Sequence, residues 1–335
     1  MSGNGSHVRW VQVAVLGVLW LVCARSSSGQ TLEDRIRPLV QAHRGNAAVA
    51  VRHLDSGEQF LWRAEIVQPT ASLIKLPLMV TAYRQIDAGQ LDAARMLTLA
   101  EADKVPGSGI LTGHFSAGLQ LSVRDAIRLM IRYSDNTATN LVAREVGLPA
   151  TAACMQELGY SETRLNSFVY RGDTTIAPER SRLYGLGSTT ALETVGLLEQ
   201  IQRGTVASAD SCRAMLQHLE SCEDSAMLAA RLPKGTKIAH KSGAVAASRT
   251  DAGLIYGPTG VFAICVLTTE NVDRSWEDSN AAHDLIATVA RAAWDHFNPE
   301  WKQGVTEEAE LKLGAFGLRV ELLQRTLNAR LQPTP

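Results

Sequence analysis

The sequence has almost no excess charge of either sign, since 33 lysines and arginines stand against 34 aspartates and glutamates in 335 residues. Proteins that bind nucleic acid carry a basic patch or stripe that neutralises phosphates, and no such stripe is present here. We therefore expect no nucleic-acid partner. Hydrophobic residues at 45% and charged residues at 20% are typical of a folded protein with a sizeable core.

The sequence also lacks the residue spacings that hold metal ions. It contains no C-x-x-C pair, no H-x-H-x-D and no H-E-x-x-H pattern. We therefore expect neither a metal site nor another cofactor.

Cysteine is scarce, with five residues in the whole chain. Cys23 leaves with the predicted signal peptide described below, and the other four would then lie in an oxidising compartment where disulfides can persist. Cys212 and Cys222 bracket a helical pattern, and in one continuous helix they would be ~15 Å apart, too far to bond each other. Cys265 lies in an apolar strand pattern and is most simply a buried thiol.

Long apolar runs are nearly absent as well. The run from Trp10 to Cys23 is shorter than the ~20 residues that a membrane-spanning helix needs. A basic start and the small residues that follow the run are typical of a signal peptide. We expect a signal peptide over residues 1–29, cleavage near Gly29–Gln30, and a periplasmic or secreted product without a membrane span.

Strand patterns lie at both ends of the remaining chain, with helical patterns between them. The strand patterns cover residues 47–54, 58–64, 238–243, 252–256 and 261–268. The first two flank a Gly turn and predict a β-hairpin. Most of residues 90–204 is helical in pattern, and a final helix is predicted from about residue 280 to 297.

The order of these elements predicts the fold. Strands that are adjacent in sequence and joined by short turns pair antiparallel. The economical solution is one five-stranded antiparallel sheet, formed by the first two and the last three strands. An all-helical domain is inserted between the second and third strands.

Ser72 and Lys75 form an S-x-x-K pattern at the start of a predicted helix. Side chains three residues apart share one face of a helix, so the lysine amine can take the serine proton if burial or a neighbouring positive charge lowers its pKa. The helix N-terminus favours a developing oxyanion. An N-cap serine beside a solvent-exposed lysine is the alternative.

Two further elements contain residue types that suit the same chemistry. Ser134-Asp135-Asn136 lies between two helical patterns, where Ser134 can pass a proton towards a leaving group and Asn136 can hold a substrate amide; a helix N-cap is the alternative. Lys241-Ser242-Gly243 lies in the first late strand. Its lysine supplies positive charge, its serine can bind a carboxylate, and its glycine lets substrate backbone approach the strand.

These three elements in this order resemble the S-x-x-K, S-D-N and K-T-G signature of class A β-lactamases and penicillin-binding proteins. The similarity to class A β-lactamases extends over roughly residues 31 to 297, which include PGSGIL at 106–111. It implies an α/β fold, an α+β sandwich in which helices flank the sheet, with the active site between the sheet and the helical domain. It also implies that Ser72 forms an acyl-enzyme and that the backbone N–H groups of Ser72 and Ala244 form an oxyanion hole.

The family delivers its deacylating base, a glutamate in an E-x-x-x-N pattern, from the Ω loop. Glu162 has that spacing to Asn166, but the pair lies at the loop entrance, where a surface glutamate is expected. Farther along, the loop offers Asp173 and Glu179. Glu179 is our preferred candidate for the base, and an arginine-paired loop glutamate is the alternative.

A second departure concerns the arginine that many members carry on the strand after the K-T-G element. Arg249 is one residue early and Thr250 occupies the expected position. On a strand this shift turns the side chain to the opposite face, unless the two residues lie in a turn.

The C-terminus differs in character from the rest of the chain. After a predicted linker at 299–310, residues 311–335 resemble the opening of a peptidoglycan-binding domain, too short to bury a core of its own. A peptidoglycan association is therefore expected there, with a generic terminal helix as the alternative. The catalytic domain is predicted over residues 30–298, and a monomer is expected.

Three functions fit these motifs. The first is a serine hydrolase that opens β-lactam rings through a Ser72 acyl-enzyme. The second is a cell-wall D,D-peptidase or a related serine hydrolase acting on peptidoglycan peptides, and the third is a penicillin sensor that acylates without turnover. The rate of deacylation and the hydrolysis of a D-Ala-D-Ala peptide separate them.

Overall fold

The structure, a computed structural model, describes Met1, residues 30–277 and residues 279–300. The predicted signal peptide and nearly all of the predicted linker and terminal helix lie outside the described residues. None of the helices in the described part of the chain is long and apolar enough to cross a membrane.

The described residues form strands and helices in the following order along the chain. The strands are β1 (Asn46–His53), β2 (Gln59–Trp62), β3 (Gln68–Pro69), β4 (Met96–Thr98), β5 (Gln120–Ser122), β6 (Arg164–Leu165), β7 (Gly187–Thr189), β8 (Lys237–Val245), β9 (Ser248–Gly257) and β10 (Gly260–Thr269). The α-helices are α1 (Leu32–Ala42), α2 (Lys75–Asp87), α3 (Leu111–His114), α4 (Val123–Arg132), α5 (Asn136–Val146), α6 (Leu148–Glu157), α7 (Pro178–Tyr184), α8 (Ala191–Arg203), α9 (Ala209–Glu220) and α10 (Ala281–Phe297). Short 3₁₀ turns cover Ala71–Ile74, Glu101–Asp103 and Gly172–Thr174.

The main sheet has five strands in the order β2-β1-β10-β9-β8. Each neighbouring pair is antiparallel. The first two strands of the chain are thus joined to the last three, and the long helical stretch is inserted between them. This confirms the predicted fold, and it leaves β8 as an edge strand.

Both faces of the sheet are buried, because side chains alternate between its faces along a strand. In β10, Ala263, Cys265 and Leu267 pack against the inserted helices. The intervening side chains Phe262, Ile264 and Val266 pack against α1 and α10. Burial on both faces explains why the sequence of this strand is one continuous apolar run.

The inserted region contains β-structure that the sequence pattern does not predict. β3, β7 and β6 form a three-stranded sheet, and β4 pairs with β5. These strands are two or three residues long, too short for a period of two to emerge from the sequence.

The cysteines are unpaired in the described residues, where Cys154, Cys212, Cys222 and Cys265 are free thiols. α9 runs from Ala209 to Glu220, so it contains Cys212 and ends before Cys222. The two cysteines are unpaired, but the single continuous helix on which the prediction depended is not present. Cys265 is fully buried, as expected.

Candidate active site

Ser72 lies in the 3₁₀ turn that leads directly into α2. The residue before it, Ala71, has a φ of +45°, a conformation that costs energy for a residue with a side chain and that clusters at functional sites. The turn packs against β8 so closely that a Cβ on Gly243 would be 2.7 Å from the Ser72 nitrogen. Glycine at 243 therefore lets the sheet reach the turn that holds Ser72.

Lys75, one turn after Ser72, is fully buried. Its Nζ lies 2.5 Å from the Ser134 carbonyl oxygen, 3.0 Å from Ser134 Oγ and 2.9 Å from Asn136 Oδ1. An ammonium would donate to all three oxygens, whereas the neutral amine has hydrogens for two of them. Burial and the nearby charge of Lys241 hold the pKa of Lys75 well below 10.5, although the charge of Asp135 opposes them. The free amine is therefore favoured, and a free amine can accept a proton.

The segment Ser134-Asp135-Asn136 joins α4 to α5. Ser134 has a φ of +53°, which turns the chain so that both its carbonyl oxygen and its hydroxyl meet Lys75. Asp135 caps α5, since its side chain accepts from the backbone N–H of Ala138. Asp135 thus serves as the helix N-cap that was the alternative reading of this motif, while Ser134 and Asn136 contact Lys75.

Asp135 also fixes a second loop to the site. Its buried Oδ2 accepts from the N–H groups of Ile110 at 2.7 Å and Leu111 at 2.9 Å. Gly109 has a φ of +119°, and a Cβ there would lie 2.3 Å from the Asp135 carboxyl carbon. The glycine in PGSGIL is therefore required for the carboxylate to lie against this loop.

The Asn136 side chain is tied at both ends. Oδ1 accepts from Lys75, and Nδ2 donates to the Pro106 carbonyl oxygen at 3.0 Å. One Nδ2 hydrogen remains for a further acceptor, because an amide carries two.

β8 brings Lys241, Ser242, Gly243 and Ala244 to the edge of the sheet beside Ser72. Lys241 is fully buried, and its Nζ donates to the Ser242 carbonyl oxygen at 2.6 Å. Ser242 Oγ donates to Asp224 Oδ2 at 2.7 Å. Among the described residues β8 is an edge strand, so its outer side has no strand partner there and offers backbone groups to an extended ligand.

Asp224 is a neighbour of the site that the sequence analysis missed. It lies in the loop after α9. Its carboxylate accepts a hydrogen bond from the Ser242 hydroxyl, the group that was predicted to bind a substrate carboxylate. No motif in the sequence marks it, because the contact joins a loop to a strand 18 residues later.

Arg249 and Thr250 lie in β9 and not in a turn. Arg249 is buried on the side of α10, where Nε donates to His283 Nε2 at 3.0 Å. Thr250 faces the Ser72 turn, and its Oγ1 donates to the Thr70 carbonyl oxygen at 2.9 Å. The one-residue shift therefore points the arginine away from the site.

The loop carboxylates are paired with arginines. Glu162 accepts from Arg180, which also donates to Ser188, so Glu162 helps to close the loop. Asp173 pairs with Arg171 at 3.0 Å.

Glu179, the preferred base, is at the N-terminus of α7, where its side chain is 84% exposed and pairs with Arg182 at 3.1 Å. No hydrogen bond or ion pair among the described residues joins Glu179 to Ser72 or Lys75. Its exposed placement beside Arg182 matches the arginine-paired alternative, and its role as the base stays a prediction.

Val169 occupies the part of the loop that does reach α5. Asn140 Nδ2 donates to the Val169 carbonyl oxygen at 3.0 Å, and the Val169 N–H donates to Asn140 Oδ1 at 2.8 Å. Asn140 follows Asn136 by four residues and so lies on the same helix face. Val169 is 7% exposed, yet it belongs to neither of the two hydrophobic cores that cover the faces of the main sheet. The spacing of the two asparagines is the signal that could have located this clamp.

Comparisons with known proteins agree with this geometry. A family model described as the beta-lactamase enzyme family matches residues 31–297. A beta-lactamase of Streptomyces cellulosae is 28% identical over 237 residues, which are 68% of this chain and 72% of that protein.

Two solved structures share the fold. The crystal structure of the beta-lactamase from Sphaerobacter thermophilus DSM 20745 superposes with a TM-score of 0.71 at 28% identity, over 80% of this chain and 97% of that one. PBP-A, solved as a mutant in an acyl-enzyme complex with penicillin G, gives a TM-score of 0.70 at 25% identity, over 80% of this chain and 96% of that one. The resemblance that the three motifs predict is confirmed.

Gly109→Ala should destabilise the protein and slow its chemistry together, because the added Cβ strikes Asp135 and its φ is unfavourable. We expect a loss on the order of 1–3 kcal/mol in the free energy of unfolding. Gly113→Ala is the matched control, since nothing lies within 4 Å of its Cβ. Urea unfolding of both variants measures the difference, and equal stability would show that the loop yields without cost.

Proposed function

This chain belongs to the beta-lactamase enzyme family, and on that basis we propose that it opens β-lactam rings by acylation of Ser72. The observation that carries the proposal is the buried Lys75 amine, which touches Ser134 and Asn136 one turn below Ser72. Family membership makes the chain a serine hydrolase. The roles of the individual residues are our proposal.

Acylation begins when Ser72 Oγ attacks the carbonyl carbon of the substrate ring. The hydroxyl proton passes to the lone pair of Lys75 Nζ, which is a free amine because its pKa is lowered by burial and by Lys241. The backbone N–H groups of Ser72 and Ala244 stabilise the oxyanion. Lys241 supplies positive charge beside the site.

Collapse of the tetrahedral intermediate breaks the bond between the carbonyl carbon and the ring nitrogen. The leaving nitrogen needs a proton, and Ser134 Oγ delivers one while it recovers a proton from Lys75 at 3.0 Å. Asn136, Ser242 and Gly243 position the substrate along the edge of β8. The product of this step is an ester on Ser72.

A second candidate, a slowly deacylating D,D-peptidase or sensor, is favoured by the loop. Hydrolysis of the ester needs a base beside a water molecule, and the carboxylates of Glu162, Asp173 and Glu179 are bound to arginines. The loop residue clamped against α5 is Val169, which has no proton acceptor in its side chain. This combination supports a long-lived acyl-enzyme.

We also propose that the protein is exported to the periplasm or secreted, acts as a monomer, and associates with peptidoglycan through residues 311–335. The apolar run near the N-terminus supports export, and the pattern of residues 311–335 supports the association. Cell fractionation with N-terminal mass analysis tests export. A pull-down on insoluble peptidoglycan, with a chain ending at residue 300 as control, tests the association.

Ser72→Ala should abolish covalent labelling by a penicillin while the protein stays folded. Intact-protein mass spectrometry detects the adduct on the unmodified protein, and peptide mapping locates it. Ser116→Ala, at an exposed position, should label normally. Labelling of the Ser72 variant at another residue would overturn the assignment of the nucleophile.

Lys75→Ala and Lys241→Ala should each slow acylation by roughly 10²–10⁴-fold, the usual effect of removing a general base or an electrostatic group. Lys237→Ala is the matched control, because Lys237 lies on β8 four residues before Lys241 but is 56% exposed and pairs with Glu220. Stopped-flow measurement with a chromogenic cephalosporin gives the rates. Because the pKa of Lys75 is lowered, acylation of the unmodified protein should keep its rate far below pH 10.5. Near-normal acylation by Lys75→Ala would contradict its role as base.

Val169→Glu should shorten the lifetime of the acyl-enzyme by up to ~10²–10⁴-fold, because it supplies a carboxylate at the clamped part of the loop. Val169→Gln introduces a side chain of the same size as glutamate but without a base, and this variant should deacylate like the unmodified protein.

Glu179→Gln tests the base predicted from sequence. Because Glu179 is exposed, we expect this variant to deacylate at the normal rate. Release of the adduct is followed by mass spectrometry. An acyl-enzyme that lives longer in Glu179→Gln than in the unmodified protein would restore Glu179 as the base.

A further inference from the structure

Cys222, His240 and Asp251 form a buried cluster beside the active site. His240 Nδ1 lies 3.0 Å and 3.1 Å from the two carboxylate oxygens of Asp251. The Cys222 thiol is close enough to the His240 ring for each group to shift the pKa of the other. His240 is 2% exposed and Asp251 is fully buried. A histidine between a thiol and a carboxylate is the arrangement that activates a nucleophilic cysteine.

The order of contacts assigns a task to each residue. Asp251 takes Nδ1 as a donor, which leaves Nε2 to accept the thiol proton. Leu228 N–H donates to Asp251 Oδ2 at 3.1 Å and holds the carboxylate in place. The proposed chemistry at Ser72 uses none of these three side chains.

The charges around the cluster favour a thiolate paired with an imidazolium. Burial opposes both charged forms, but Asp251 and the hydrogen bonds to Asp251 and Cys222 raise the pKa of His240 well above its ordinary value. Burial also acts to raise the pKa of Cys222, yet His240 and Lys241 lower it overall. The neighbouring Asp224 contributes a backbone N–H to the sulfur.

Cys222 differs from the other described cysteines in its access to solvent. It is partly exposed, whereas Cys154, Cys212 and Cys265 are buried. Burial raises the pKa of Cys154 and of Cys265. A solvent-borne reagent can therefore meet one activated thiol and three protected ones within the described residues.

We propose that Cys222 is a modification site, a nucleophilic thiol that small hydroperoxides oxidise to a sulfenic acid, and that this oxidation slows the reaction at Ser72. The sulfur lone pair forms the S–O bond, and the O–O bond of the peroxide breaks. The departing oxygen takes the proton of the His240 imidazolium and leaves as water or an alcohol. Sulfur is oxidised by two electrons and the peroxide is reduced by two.

Coupling to the active site follows from the position of residues 222–224. The N–H of Glu223 donates to the Arg132 carbonyl oxygen at 3.2 Å, two residues before Ser134. Asp224 holds the Ser242 hydroxyl, and His240 directly precedes Lys241. Oxidation adds an atom and removes the thiolate charge, so it disturbs a segment that touches two of the three motifs. This coupling, unlike the oxidation itself, rests on the proposed function.

The oxidation is tested by treating the protein with hydrogen peroxide in the presence of a 1,3-diketone that traps sulfenic acids. Peptide-resolved mass spectrometry then reads each cysteine separately. We expect trapping at Cys222 roughly tenfold or more faster than at Cys154, Cys212 or Cys265. Equal rates at Cys222 and the buried cysteines would overturn the proposal.

The role of His240 is tested by the pH dependence of iodoacetamide alkylation. Alkylation of Cys222 in the unmodified protein should reach half its limit at a pH below that of an ordinary thiol, and His240→Gln should slow it by roughly tenfold or more near neutral pH. The profile of the unmodified protein stands even if the variant misfolds. An ordinary thiol profile would remove His240 from the mechanism.

The coupling is tested by the acylation rate before and after peroxide. The unmodified protein should lose rate and regain it on reduction with dithiothreitol, and Cys222→Ser should keep its rate throughout. Equal loss in both proteins would overturn the coupling. A protein that takes no β-lactam even before peroxide would instead contradict the proposed function, and the trapping result would be unaffected.

Discussion

The site depends on one buried amine. A lysine that loses its water pays a large free-energy penalty for its charge, enough to shift a pKa by up to ~3–5 units, whereas one ordinary hydrogen bond returns about 0.5–1.5 kcal/mol. The acceptors on Ser134 and Asn136 therefore orient Lys75 without outweighing its burial, and Lys241 adds repulsion in the same direction. The amine is held neutral because burial and the charge of Lys241 together outweigh the opposing charge of Asp135.

The sheet topology makes this arrangement possible. β1 and β2 come before Ser72 in sequence, while β8 comes more than 160 residues after it, and pairing of β1 with β10 brings the two ends of the chain into one sheet. Placing Lys241 beside Lys75 therefore requires the whole fold to form. The contact between Gly243 and the Ser72 turn then sets how closely the two halves approach.

The sequence predicts what depends on periodicity and on local motifs. The hairpin, the three late strands, α10 and the helix junction at Ser134 were all expected, because burial and capping leave a regular pattern. The placement of Glu179 could not be derived from spacing, because the choice between solvent and site depends on how the loop folds. Asn140, which clamps Val169, and Asp224, which binds Ser242, act across long sequence separations. The spacing of Asn136 and Asn140 marks a shared helix face but not the loop residue that meets it, and no local pattern marks Asp224.

Alternation along β8 and β9 divides two kinds of chemistry between two faces of one sheet. On β9, Thr250 turns to the Ser72 turn, while Arg249 and Asp251 turn to the other side, where Arg249 meets α10 and Asp251 meets His240. On β8, His240 and Lys241 are neighbours in sequence, but Asp251 pairs only with His240. The charge of Lys241 therefore remains to lower the pKa of Lys75. Ser242 pairs with Asp251 across the two strands, so the same alternation directs its side chain to the face opposite Lys241 and Thr250, where its hydroxyl donates to Asp224. An anionic ligand that uses this hydroxyl would therefore have to displace Asp224, and Arg249 is held by His283 on the side of α10.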